Sequence, residues 1–380
     1  MYPELFTIPG LKIPVPSYGA MILVAFLLST WWMTVRARRA KVNPDIMLNI
    51  ALISLVTSTI AARAFYVIHY WDQFADNPRL IFNLSTGGFE VYGGLIGAFL
   101  CNFLYLLVFR LPIRLIADAV APSILLGMGI GRIGCFLAGC CWGVTCPASL
   151  PWAVQFPYAS YAFNSQWNNR QVTVPAELII LDPAGMATPI PSQAFRVSPE
   201  DLKKVLTKAQ ENLSAAQASG NEASIKKATR ILNKNKIAID SLLTHYADFG
   251  LSPAELNTSF VPHYYSLHVH PSQIYGAIGP ILLAFIGNAL FYRRKHHGIV
   301  MPILFMCYAA QRFIEEATRS DNPIDTFGMT ISQGISIAIL IIGALSLWVI
   351  LKLPPRNANV KPWLPPQKPE KPQKKADAIA

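Results

Sequence analysis

This sequence is poor in charge. Only 14% of its 380 residues are Asp, Glu, Lys or Arg, whereas an ordinary soluble domain carries about one-quarter. With 53% hydrophobic residues and a positive mean hydropathy, the first expectation is a membrane protein and not a soluble enzyme. No C-x-x-C pair occurs among the six cysteines, so the usual dithiol redox motif and the paired spacing of structural zinc are both missing. Acidic residues are also few, 21 against 32 basic ones, for a net charge of +11. That excess lies in short loops and a tail, where membrane topology accounts for it, so no nucleic-acid partner is expected. No basic n-region precedes the first apolar segment and no clear cleavage site follows it, so no removable signal peptide is expected.

Apolar runs approaching or exceeding the roughly 20 residues that cross a bilayer occupy 18–35, 46–68, 91–109, 115–137, 274–291, 299–314 and 331–351. They predict an all-α, polytopic membrane protein of seven transmembrane helices. The loops RARRAK (36–41), FRLPIR (109–114) and YRRKHH (292–297) and the tail after Lys352 are basic and alternate to one side. Basic loops stay in the cytoplasm, which puts the N-terminus outside and the C-terminus in the cytoplasm. The short outer loops hold one arginine each, Arg79 and Arg319.

The expected organisation is four helices in 1–157, a polar outer insert in 158–267, three helices in 268–351, and a disordered, basic, proline-rich cytoplasmic tail in 352–380. Within the insert, Ser198 and Pro199 followed by two acids mark a helix start. Leu202, Val205, Leu206, Ala209 and Leu213 then recur at helical spacing, and a second run from Ile225 to Leu242 completes a helical hairpin.

Polar residues inside a bilayer are costly and each needs a reason. Tyr18 opens the first helix, Arg63 and Tyr66 lie near the outer end of the second, and Tyr92, Gly93 and Gly94 open the third. Arg132 lies near the outer end of the fourth, His270, Ser272, Gln273 and Tyr275 begin the fifth, and Arg312, Glu316 and Arg319 finish the sixth. Six elements thus bring polar groups to one depth, several of them arginines, which is the pattern of an anion site. Each member also has a plainer reading. Arg63 can snorkel to the interface, the tyrosines fit an aromatic belt, Arg312 and Glu316 can be a structural ion pair, and His270 before Pro271 can be a helix-start residue.

The stretch GRIGCFLAGCCWG (131–143) concentrates the cysteines, with Cys135, Cys140, Cys141 and, just beyond, Cys146. The spacing C-x4-C-C-x4-C without a nearby histidine argues against zinc. A disulfide of Cys140 or Cys141 with Cys146 suits an oxidising outer compartment, and at least one thiol is left as a small packed group. Gly129, Gly131 and Gly134 satisfy G-x-G-x-x-G but have no preceding strand, so a dinucleotide turn is excluded. Small residues in such a helix let a neighbouring helix or a lipid come close, and the same holds for GGLIG (93–97).

Taken in order, PSYGAMILVAF (16–26), ARAFYVIHYWDQF (62–74), YGGLIG (92–97), GRIGCFLAGCCWG (131–143), LPWAVQFP (150–157), HPSQIYG (270–276) and YAAQRFIEEATRSDNP (308–323) resemble the motifs of bacterial prolipoprotein diacylglyceryl transferases. The resemblance covers about 1–157 and 268–351. It implies a seven-helix, multi-pass enzyme of the bacterial cytoplasmic (inner) membrane that uses no cofactor and no metal. Its partners would be phosphatidylglycerol and prolipoprotein signal peptides with a lipobox cysteine. The diacylglyceryl group would pass to the cysteine thiol, with release of glycerol 1-phosphate.

On this resemblance the catalytic candidates are Arg132, Arg312, Tyr92 and Glu316. Arg132, Arg63, Tyr18, Gly93, Gly94, Gly134, His270, Gln273 and Arg319 are candidates for substrate binding. A phosphate leaving from carbon needs fixed cations, which suits Arg132 and Arg312, and arginine is suited to bidentate phosphate binding. The chain departs from the family at three positions: Tyr92 replaces the usual histidine, Cys135 an asparagine, and Cys140 a polar residue. Tyr92, Glu90 and His270 are the alternatives for the base that activates the thiol. Two other readings compete, a non-catalytic phospholipid-binding membrane protein and a membrane thiol oxidoreductase.

Overall fold

The computed structural model describes residues 4–8, 13–75, 78–83, 87–182, 185–218, 222–319, 328–356 and 363. The tail expected to be disordered at 352–380 therefore lies almost wholly outside the described residues.

All seven apolar runs form helices: α1 Ser17–Arg39, α2 Pro44–His69, α3 Val91–Val108, α4 Ile113–Ala138, α9 Ser272–Arg293, α10 Val300–Glu316 and α11 Ile331–Lys352. Between α4 and α9 lie α5 Tyr161–Asn168, α6 Pro199–Ala218, α7 Glu222–Phe249 and the single turn α8 Pro253–Glu255. Six helices are long and apolar enough to cross a membrane, which marks a polytopic membrane protein. The expected seventh span, α10, has only 17 residues. Two small antiparallel sheets were not expected from an all-α sequence pattern. Strand β1 Glu4–Ile8 pairs with β2 Ile13–Pro16, Thr7 opposite Pro14, and β3 Ile179–Leu181 pairs with β4 Ala187–Pro189, Ile180 opposite Thr188.

The chain divides into two compact units. One comprises Met1–Tyr18, Ile133–Tyr275 and Ala317–Pro323; the other comprises Gly19–Arg132, Gly276–Glu316 and Ile324–Ala380. The first gathers the motif loops with the insert because they bond to each other. Ser266 N–H donates to Phe156 O at 2.8 Å, and Leu267 N–H donates to Gln166 Oε1 at 2.7 Å. The insert has its own core around Phe163, Leu178, Ile190, Leu202, Leu242 and Leu256. Within it α6 and α7 pack together, and Ser198 Oγ accepts from Asp201 N–H at 3.1 Å, so the N-cap falls where the sequence puts it.

The second unit packs around Met33, Met47, Ile50, Ile116, Leu125 and Leu304. Two buried polar ties hold it. Arg36, counted from sequence with a basic loop, is 1% exposed, because α1 runs on to Arg39 and carries it into the core. Its guanidinium donates to Ala119 O at 2.5 Å, Ser123 Oγ at 3.1 Å and Asn288 Oδ1 at 3.0 Å, and lies 4.6 Å from the Trp32 ring centroid. Asp118 is fully buried and pairs with Arg294 Nε at 2.8 Å. It also accepts backbone N–H bonds from Gly298, Val300 and Met301, so one carboxylate closes the N-terminal turn of α10, where the helix dipole favours an anion.

Candidate active site

The densest ionic group among the candidates lies in the second unit at the C-terminal end of α10. Arg312, Glu315 and Glu316 are all less than one-tenth exposed. Spacings of three and four residues put them on one helical face, so Arg312 Nη2 reaches Glu316 Oε2 at 2.6 Å and Nη1 reaches Glu315 Oε1 at 3.5 Å. Thr330, the N-cap of α11, donates from its hydroxyl to Glu316 Oε1 at 2.7 Å, and Arg312 Nη2 also donates to Ser332 Oγ at 3.2 Å. Arg132 joins this group through Tyr308, whose hydroxyl hydrogen-bonds the Arg132 side chain and lies in the field of Arg312 and Glu315. Half-buried Arg132 is thereby brought near the buried Arg312 and its two buried carboxylates. Glu315 and Tyr308 were not singled out from sequence, although both lie in the motif at 308–323, on the same helix as Arg312. Gly276 and Gly279 let α9 approach: a Cβ on the first would strike the Glu315 carboxylate, and one on the second the Gln311 side chain.

A second group, also in that unit, joins α2 to the segment before α3. Arg63 is buried and spends its donors on five carbonyl oxygens, those of Leu80, Ile81, Asn83, Gly87 and Gly88. It fixes this segment, and its ring neighbours are Tyr66 and Phe74. Glu90, the residue before α3, places Oε1 2.5 Å from His69 Nδ1, and the His69 ring stacks on Tyr70 at 4.6 Å. Sequence reasoning missed His69. Its signal was a histidine in the last turn of the apolar α2, within the motif at 62–74. Tyr92 is 49% exposed, two residues past Glu90. Gly93 and Gly94 are buried against α2, where a Cβ would meet Phe65 and Ala62 respectively. Of the two uses open to these glycines from sequence, helix contact is the one observed here.

The remaining candidates lie in the first unit. Gly134 is buried in α4, Arg319 and His270 are half-buried, and Tyr18 is 45% exposed at the start of α1. Three segments meet at Gly143, which bridges to Arg319. Its N–H donates to His270 O at 3.0 Å, and Val144 N–H donates to Thr318 O at 2.8 Å. A side chain at Gly143 would strike the His270 and Thr318 carbonyls, so a glycine is required there. His270 Nδ1 lies 3.1 Å from the Tyr275 hydroxyl. Gln273, wholly buried, donates from Nε2 to Cys140 O at 2.8 Å, and Ser272 Oγ donates to Cys141 O at 2.7 Å.

None of the six cysteines is joined in a disulfide, so the expected bond to Cys146 does not form. The reason is local. Cys146 N–H pairs with His268 O, and the Cys146 thiol is not part of the group formed by the sulfurs of Cys135, Cys140 and Cys141, which lie within 4.8 Å of one another. Hydrogen bonding with the Cys135 and Cys141 thiols, together with burial, pushes the Cys140 thiol up from its ordinary range.

A family model described as prolipoprotein diacylglyceryl transferase matches residues 3–349. The phosphatidylglycerol–prolipoprotein diacylglyceryl transferase of Clostridium tetani is 35% identical over 162 residues, 43% of this chain and 63% of that protein. The proteins of the same name from Rhodopirellula baltica and Bacillus cytotoxicus are 34% identical over 159 residues and 39% over 124, covering 32% and 46% of their lengths. The aligned segments thus span less than two thirds of each of these relatives.

Proposed function

Because the chain belongs to the prolipoprotein diacylglyceryl transferase family, we propose that it transfers the diacylglyceryl group of phosphatidylglycerol to the lipobox cysteine of a prolipoprotein. The thiolate sulfur attacks the glyceryl carbon that bears the phosphate oxygen. The new S–C bond forms as the C–O bond breaks, and the electron pair leaves on the phosphate of glycerol 1-phosphate. The thiol proton passes to a base.

The observation that carries this reading is the Arg132, Tyr308, Arg312 group. Negative charge grows on the departing phosphate oxygen, and donors fixed beforehand in a water-poor site stabilise it without reorganising. Arg132 and Arg312 supply those donors. Glu316, locked by Thr330, and Glu315 act as positioning residues for Arg312. On the family resemblance Gly134, His270, Gln273, Arg319 and Tyr18 are further candidates for substrate contact, and Arg63 acts by shaping the segment before Glu90. For the base, the 2.5 Å contact between His69 and Glu90 supports a carboxylate-oriented imidazole, with Tyr92 positioned to orient the thiol or donate to phosphate. This pair replaces the missing motif histidine by a histidine on the preceding helix.

The protein is assigned to the bacterial inner membrane with its N-terminus outside, the insert on the outer side and its tail in the cytoplasm, since the loops rich in Lys and Arg alternate to one side. With α10 counted, seven helices cross. At 1.5 Å per residue, 17 residues reach about 25 Å, short of a hydrocarbon core of about 30 Å.

The test uses the purified protein, phosphatidylglycerol vesicles and a lipobox peptide. Formation of a diacylglyceryl thioether is expected, and none with a peptide whose cysteine is replaced by serine or with phosphatidylethanolamine vesicles. Retained phosphatidylglycerol without product points to a non-catalytic lipid-binding protein instead.

A further inference from the structure

We propose that Cys135, Cys140 and Cys141 form a three-thiolate site for one soft, thiophilic cation, with monovalent copper the best match. The proposal stands on the local backbone. Helix α4 ends at Ala138 and is closed by Gly139 at φ +79°. Cys140 N–H bonds back to Cys135 O at 3.1 Å, and Gly139 N–H bonds to Phe136 O at 3.3 Å. This pair of bonds is the Schellman closure, which brings together the side chains at the positions that Cys135 and Cys140 occupy. Apolar residues usually meet there; in this chain two thiols do.

The third thiol arrives by a less favourable route. Cys141 has φ +61°, a left-handed conformation uncommon for any residue but glycine and met mainly in asparagine, aspartate and histidine. Two buried side chains support it, Ser272 on the Cys141 carbonyl and Gln273 on the Cys140 carbonyl. Ser272 is 1% exposed and Gln273 is 0%. The Gln273 Oε1 atom, also buried, has no hydrogen-bond partner among the described residues. A strained residue held by buried partners is a pattern found at functional sites, and such outer partners are what orient metal ligands.

The distances select the ligand. Metal–thiolate bonds of about 2.3 Å set three sulfurs about 3.8 to 4.0 Å apart in tetrahedral or trigonal geometry, and these three lie within 4.8 Å of one another. No histidine, carboxylate or fourth cysteine belongs to the group among the described residues. A tetrahedral zinc site therefore lacks its fourth ligand, whereas a thiolate-only set favours a softer ion. Cys140 and Cys141 are half-buried, which leaves a way in. Cation binding replaces the thiol protons by metal–sulfur bonds, consumes no oxidant, and does not depend on the transferase reading.

The test titrates the full-length, detergent-solubilised protein with Cu(I) under anaerobic conditions against a chromophoric Cu(I) chelator, and counts sulfur neighbours by X-ray absorption. One ion per chain with three sulfur neighbours is expected. Cys135→Ala, Cys140→Ala and Cys141→Gly should each weaken binding by at least about tenfold, while Cys101→Ala and Cys307→Ala leave it unchanged. Cys141→Gly guards against misfolding as the cause, because glycine accepts the positive φ without strain; its thermal unfolding midpoint should not fall. Uptake well below one ion per chain, unchanged uptake by Cys141→Gly, or preference for Zn(II) over Cu(I) overturns the proposal.

Discussion

Arg312 Nη2 lies 2.6 Å from Glu316 Oε2, one helical turn further along α10. The carboxylate is itself held by the Thr330 hydroxyl, so the start of α11 sets the direction of a guanidinium on α10. A free arginine would spend much of its conformational freedom on finding a phosphate; this one is already oriented. Arg312→Lys keeps the charge and loses the planar fork. Its turnover should fall by about 10²- to 10³-fold, the range seen when one preorganised donor is removed, with the protein still folded by circular dichroism. Turnover equal to wild type would remove Arg312 from the reaction.

For the base, His69→Ala and Glu90→Gln should both reduce the rate of thioether formation. The loss for His69→Ala is expected at about 10²-fold or more, as for other positioned general bases, and Tyr92→Phe should lose much less. Single-turnover rates with a pre-bound lipid isolate this step from substrate binding. If Tyr92→Phe is the slow variant and His69→Ala is not, the tyrosine hydroxyl takes the role.

The buried pair of Asp118 and Arg294 makes a prediction about stability. Asp118→Ala strands a buried guanidinium and removes the acceptor of three N–H groups at the start of α10, so it should cost about 3–5 kcal/mol. Replacing both members, as Asp118→Leu with Arg294→Met, should cost less than Asp118→Ala alone. Thermal unfolding in detergent, with the two single variants and the double, checks this. A double variant worse than both singles contradicts it.

In the insert, Ser198→Ala should destabilise α6 by about 1 kcal/mol through loss of its N-cap, seen as faster amide exchange in its first turn. The pH dependence there has a definite sign. Asp201 is held below the ordinary aspartate range by hydrogen bonds to Lys204 and Ser198. Its contribution is therefore present above the unfolded value of about 3.9 and is lost as pH falls through the lowered folded value. First-turn protection that rises on acidification is the opposite outcome.

The helices were legible because apolar runs of membrane length have few other meanings, and all seven appear close to where the pattern puts them. Ser198 was legible because a cap is a local signal. Charge counting could not see that Arg36 turns inward, since its partners Ala119, Ser123 and Asn288 are remote in sequence. Arg312 with Glu316 was readable from a spacing of four. Glu315, Tyr308 and the pairing of His69 with Glu90 were not, because each depends on which neighbours the fold supplies. The cysteines suggested a disulfide to Cys146 from proximity in sequence. Backbone closure at Gly139 and Cys141 decided which thiols meet.

The central claim is the transfer itself, and its most direct measurement counts both products at once. Purified protein is incubated with phosphatidylglycerol vesicles and a lipobox peptide, and glycerol 1-phosphate and diacylglyceryl peptide are quantified together by mass spectrometry. The account predicts equal amounts of the two, rising together with time and at least about 10²-fold more slowly with Arg312→Lys and Arg132→Ala at comparable protein levels. Glycerol 1-phosphate released without lipidated peptide, or neither product from a protein that still retains phosphatidylglycerol, would contradict it.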